Sequence, residues 1–190
     1  MAPGPPLFPQ LVPQAPLEHP ELLAPAVFGA LKRWFAAVPD AAEAVAVAAI
    51  DPAFSDTAAL TEHLGLAPEA SANCVVVAGR RAGVDKAAGV AVRATTRADV
   101  NNTVRRLLDV RKASFMSVDG VVAATGMEYG GITPIGLPGE WRVLIDRQVV
   151  DAGPVIVGAG VRQAKLILPG SILATLPGAE VIDGLAFSVS

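Results

Sequence analysis

Apolar and polar positions along this chain divide it into short helices and strands separated by glycine and proline. Over 22–37, Leu23, Val27, Leu31, Trp34 and Phe35 recur at helical spacing, with Lys32 and Arg33 on the other side. Val38-Pro39-Asp40 stops that helix. The valine-rich alternation over 43–50 predicts a strand, and Asp51-Pro52 a turn. Ser55 or Asp56 is placed to cap a second helix over 57–64, which Gly65 ends. Strands are expected over 73–78 and 87–94, joined by a hairpin-like turn through Gly79, Arg80, Arg81, Ala82 and Gly83.

Thr96 is expected to open a helix carrying Val100, Val104, Leu107 and Leu108, with Arg97, Arg105 and Arg106 on its wetter side. An extended piece at 113–116 and a short helix at 119–124 lead into 125–138, where Gly126, Gly130, Gly131 and Gly136 stand among Pro134 and Pro138. That mixture excludes a long helix or a central strand. Beyond it Trp141, Val143 and Ile145 alternate, strands follow at 155–157 and 165–168, a short helix spans 169–176, and 181–187 closes the sheet. The order predicts one mixed α/β (α+β) domain, its sheet largely antiparallel or mixed, with helices packed on it. Residues 1–20 carry seven prolines and no usable period, so they are expected to be a flexible or polyproline-like tail ahead of a domain over 21–190.

Composition narrows the function. The 190 residues are 52% hydrophobic, enough for one sizeable core, and aromatics are only 5%, so Val, Ala, Leu and Ile must fill it. The single cysteine, Cys74, excludes an internal disulfide and reads as a small buried hydrophobe in an apolar strand. His19 and His63 lie far apart and receive no role, and neither a metal nor a cofactor is expected. The cysteine usage fits a cytoplasmic protein. No apolar run is long enough to span a bilayer, so no membrane partner is expected. A net charge of -3 argues against a broad nucleic-acid coat but permits local contact with one end of an RNA.

The glycine-rich loop is the most distinctive chemistry. Glycines let several backbone N–H groups surround one small concavity, while Met127, Ile132, Ile135 and Leu137 tuck the loop onto the core. A compact structural loop is the plain alternative. Gly130-Gly131-Ile132-Thr133-Pro134 resembles the Gly-x-x-x-Pro loop of the YbaK/prolyl-tRNA-synthetase-associated domain family. Further matching pieces follow the expected order: Lys112-Ala113-Ser114, Thr125-Gly126, Val143-Leu144-Ile145-Asp146 and Val157-Gly158-Ala159-Gly160. The resemblance covers about 41–185.

That resemblance implies a curved sheet wrapped by helices, a site in a cleft, and hydrolysis of mischarged aminoacyl-tRNA in trans, with the tRNA acceptor end as a transient partner. It implies no covalent nucleophile; the tRNA's ribose hydroxyl and ordered water take part. Backbone N–H groups near Gly130 and Gly131 would polarise the ester carbonyl or hold the substrate's amino-acid end. Met127, Ile132, Thr133, Pro134, Lys112, Ser114, Gly158 and Gly160 would surround substrate; for the last two, plain turn glycines are the alternative. Many members carry a lysine where Asn73 stands, and asparagine brings a hydrogen bond without charge. Asn73 is then a substrate-positioning group, a mark of weak, altered or lost activity, or an ordinary strand-entry residue; the alternative to an enzyme is a weakened or inactive module that binds an aminoacyl group, a nucleotide or a protein partner. Asp146 would orient water or the substrate ammonium, or simply form a turn. Arg105, Arg106 and Arg111, with Lys112, would meet acceptor-stem phosphates, or form a solvated face.

Overall fold

The computed structural model describes residues 8–188. Helix α1 (Pro25–Ala37) buries Val27, Ala30, Leu31, Trp34 and Phe35, and Pro25 opens it at the one place where a missing N–H costs nothing. The Trp34 indole donates to Thr175 Oγ1 at 3.1 Å, fastening the helix to the C-terminal third of the chain. Pro39 does break α1 but also starts a second helix, α2 (Pro39–Ala44). Strand β1 (Ala46–Ala49) is therefore shorter than the alternation predicted.

Two larger sheets carry the domain. The first has the antiparallel order β1-β8-β7, with β7 at Pro154–Gly158 and β8 at Ala164–Pro169. The second has the order β5-β2-β3-β6-β9: β5 Ala113–Phe115, β2 Ala72–Arg81, β3 Val84–Arg93, β6 Arg142–Asp146 and β9 Ala179–Ile182. Its β2–β3 and β2–β5 pairs are antiparallel, whereas β3–β6 and β6–β9 are parallel. Arg81 faces Val84, so the hairpin turn is only Ala82 and Gly83, both at positive φ, the tight kind that matches strand twist. Gly79 lies inside β2; a Cβ there would sit 2.5 Å from the Lys112 carbonyl. The main core lies between α1 and one face of β7 and β8, with Leu166 and Leu168 fully buried. A second core gathers Val77, Val90, Val104, Leu108, Leu144 and Leu185. The molecule is thus a mixed α/β single domain, mostly antiparallel.

Three expectations fail. Thr96 opens no helix: β4 (Thr96–Ala98) pairs with β10 (Ala186–Ser188) in a sheet of its own. Asp99 caps the helical stretch that follows, accepting from the N–H groups of Asn102 and Thr103. That stretch winds as a π-turn over Val100–Val104 into α4 (Arg105–Leu108). Likewise 181–187 splits between β9 and β10. The proline-rich stretch is not free along its described part. Phe8 and Leu11 are buried against Ala48, Leu60, Ile156 and Ile167, and Gln14 exchanges both backbone hydrogen bonds with Val47 at 2.8 and 3.0 Å. Proline denies this segment an α-helix, leaving only single 3-10 turns at Pro16–Glu18 and Pro20–Leu22, but its apolar side chains are able to cover the open face of the first sheet. Residues 1–7 of the expected tail lie outside the described residues.

Candidate functional site

The turn before α3 (Thr57–Leu64), the start of β2, the glycine-rich loop and β7–β8 enclose a cleft of about 1060 Å³. One wall is Ser55, Asp56 and Thr57. Asp56 caps α3 through the N–H groups of Ala58 and Ala59. Opposite it are Asn73, Cys74 and Val75 of β2, with Tyr129, Gly130 and Ile132 from the loop and Ile156, Val157 and Gly158 from β7. The loop follows α5 (Val118–Thr125), which Ser117 caps and Gly126 ends at φ 68°.

The floor is backbone laid on backbone. The N–H of Gly131 donates to the Glu128 carbonyl at 2.9 Å, and its carbonyl accepts from Gly160 N–H at 2.7 Å. A Cβ on Gly158 would lie 2.3 Å from the Gly131 carbonyl oxygen, and one on Gly131 2.6 Å from that of Val161. Only glycine permits such approach. Fully buried Met127 and Ile135 anchor the loop, and Leu137 covers Gly89 of β3.

Of the residues expected at the site, Asn73, Gly130, Ile132 and Gly158 meet in the cleft. Asn73 Oδ1 accepts from Thr57 Oγ1 at 2.6 Å, so it joins the two walls. Gly131 and Gly160 lie beneath the surface, and the Gly131 N–H is already taken. Met127, Thr133 and Pro134 are buried behind the loop and do not line the cleft. Asp146 is no water-orienting group: it is 1% exposed, caps α6 (Arg147–Val150) through Gln148 N–H and accepts from Ala186 N–H, both at 2.8 Å. Lys112 and Ser114 are exposed near β5, outside the cleft. Arg105, Arg106 and Arg111 share a separate hollow of about 710 Å³ with Arg80, Arg81 and Asp109.

Sequence reasoning overlooked Lys165. Its ammonium donates to the carbonyls of Ser55 at 2.7 Å and Gly130 at 2.8 Å. The residue is 5% exposed and borders the cleft. Burial pulls its pKa down from 10.5 to about 8; Asp56 opposes this and Arg162 reinforces it. Arg162 also stitches the walls, donating to the carbonyls of Tyr129 and Pro52. The available signal was a single charge inside the otherwise buried run Ala164-Lys165-Leu166-Ile167-Leu168, since a lysine is rarely buried without a purpose.

The model of the aminoacyl-tRNA editing domain family matches residues 51–176. The chain belongs to the aminoacyl-tRNA editing domain family. Solved structures share the fold of this editing domain. One is a hypothetical protein, APE2540, with a TM-score of 0.70 at 20% identity, covering 83% of this chain and 99% of that one. Another is a proposed trans-editing enzyme for prolyl tRNA synthetase, with a TM-score of 0.67 at 21% identity, covering 84% of this chain and 94% of that one. No curated protein matches the chain. The cleft of this editing domain lies within the matched segment, from Ala53 to Lys165. Its one thiol, Cys74, is half-buried at the edge of the cleft; desolvation pushes its pKa up to about 12, which keeps it protonated near neutral pH. No helix among the described residues is long and apolar enough to cross a membrane.

Proposed function

We propose that this editing domain hydrolyses the ester between a wrongly attached amino acid and the 3′ end of tRNA, acting in trans. The observation that carries the reading is the convergence of Gly130, Ile132, Asn73 and Gly158 on one cleft within the family-matched segment. The acyl group would rest over the Gly158 floor, with Ile132, Val75 and Ile156 bounding its side chain. Because the Gly131 N–H is engaged, any backbone donor from the loop to the carbonyl comes from Tyr129, Gly130 or Ile132, the loop residues bordering the cleft. Asn73, fixed by Thr57, positions the substrate. Water attacks the carbonyl carbon, the bond to the ribose oxygen breaks, and a free amino acid and uncharged tRNA leave.

A binding module that holds an aminoacyl group without cleaving it is the second reading. It is favoured by the uncharged Asn73 and by the engaged Gly131 donor. Release of amino acid from a panel of mischarged tRNAs, followed at catalytic protein concentrations, separates the two. Turnover of at least one ester supports the hydrolase, and absence of turnover on every ester rejects it.

A further inference from the structure

The cleft wall contributed by β8 holds a cation with spare donor capacity. An ammonium has three N–H donors, and among the described residues Lys165 spends two, on the carbonyls of Ser55 and Gly130. Its neighbours on β8, Leu166 and Leu168, point into the main core, while Ile167 enters the smaller core under the N-terminal stretch. Lys165 shares the Ile167 side of the strand by alternation, at the end that opens into the cleft. Gly130, through its missing side chain, lets the Ser55 turn come close: a Cβ there would meet Ser55 Oγ at 2.9 Å. The two carbonyls are thereby brought onto one ammonium.

Resting on the hydrolase reading, we propose that Lys165 is the catalytic cation of the site and that its third N–H binds the carbonyl oxygen of the aminoacyl ester. In the reaction, water adds to the carbonyl carbon and negative charge develops on that oxygen, where the ammonium donor strengthens. The intermediate collapses with loss of the ribose oxygen, which takes up a proton from the attacking water. The carboxylic acid formed releases its remaining proton to solvent. Lys165 keeps its proton throughout. Buried donors aimed at developing charge act more strongly than exposed ones, because little water competes.

The charged groups facing Lys165 are Asp56 and Arg162, with Glu62 further along the cleft wall. Asp56 lies on the turn beside α3 and leaves the site with both signs of charge. That pairing suits a ligand with a carbonyl and an α-ammonium group. Lys165 is largely protonated at neutral pH and loses its charge as the pH rises through about 8.

The experiment compares wild type, Lys165→Met and Lys165→Arg on the mischarged tRNA panel, from pH 6.5 to about 9.5, with the spontaneous hydrolysis subtracted. The expected result is a fall in kcat/KM for Lys165→Met on the order of 100-fold, mostly in kcat. The wild-type profile should break near pH 8, and the break should be missing in Lys165→Met. In parallel, wild type labelled with ¹³C at the lysine ε-carbon is titrated with adenosine bearing each amino acid through a non-hydrolysable 3′-amide. The chain has four lysines, Lys32, Lys86, Lys112 and Lys165, so the signals are separable. The amide should move the Lys165 signal and raise its titration midpoint, a result that stands even if Lys165→Met does not fold. A folded Lys165→Met within threefold of wild type overturns the catalytic role and leaves the hydrolase reading intact. No turnover by wild type, with the Lys165 signal still moved by the amide, rejects the hydrolase and keeps Lys165 as the carbonyl-binding group. No turnover and an unmoved signal overturn both.

Discussion

Thr133 is fully buried, and its hydroxyl has no partner among the described residues. An unpaired buried polar atom costs about 1–3 kcal/mol, and valine has almost the same shape. Thr133→Val should therefore raise the melting temperature by a few degrees without changing turnover, as calorimetry beside the deacylation assay would show. Gly158→Ala should do the reverse. Its methyl would press on the Gly131 carbonyl, and overpacking of this kind costs about 1–3 kcal/mol. Lys165 makes stability depend on pH with an unusual sign. Its folded pKa, about 8, lies below the ordinary 10.5, so between those values the unfolded chain binds more protons than the folded one. Stability relative to Lys165→Met should rise with pH across that window and be flat below it. Urea midpoints of both proteins at pH 7, 8, 9 and 10 test this; a falling difference would sink it. The loop glycines stood out in the sequence because their pattern is dense, and of them Gly130 borders the cleft. Lys165 was not, because a strand-embedded lysine looks like an edge position until the packing on both faces is known. Asp146 misled for the opposite reason: a carboxylate after an apolar strand resembles a site group, yet two backbone donors consume it.

Among the elements, those set by local signals came through. α1 follows from its apolar spacing and α3 from its Asp56 cap and Gly65 end at φ 61°. The elements that went astray depend on distant partners. Thr96–Ala98 is a strand because β10 lies ninety residues away to pair with it, which no window around Thr96 can reveal. The N-terminal stretch is a second case. Proline spacing suggested an idle tail, but Phe8 and Leu11 close the small core over β1, β7 and β8. Burying one large apolar side chain contributes roughly 1.5–3 kcal/mol. For the two side chains together, removing residues 1–16 should lower the melting temperature by about 6–24 °C, at roughly 2–4 °C per kcal/mol for a domain of this size. A truncated protein melting with the full chain would show that the packing contributes nothing. Removing only residues 1–7 leaves Phe8 and Leu11 in place and serves as the control.

Across the whole molecule, the cleft and the arginine hollow sit at opposite ends of the β2–β3 hairpin. Asn73 and Arg81 are eight residues apart along β2, about 26 Å at 3.3 Å per residue. The hollow gathers Arg80, Arg81, Arg105, Arg106 and Arg111; Asp109 within it pairs with Arg81, and Asp85 beside it pairs with Arg80. If tRNA phosphates reach it while the acyl end occupies the cleft, Arg105→Gln and Arg106→Gln should each weaken tRNA binding and reduce the slope of log K against log salt by about 1. Hydrolysis of a short aminoacyl-adenosine ester should stay unchanged; equal loss on both substrates would place the hollow's role elsewhere. The floor of the cleft has a consequence for how preference among amino acids can drift. Where Gly131, Gly158 and Gly160 stack main chain on main chain, nothing can be trimmed or enlarged, so that level is a fixed gauge. Any retuning must come from the side chains that border the cleft, Val75, Ile132 and Ile156. A randomised library selected for a new acyl group should gather its changes at those three positions and return every one of the three glycines untouched.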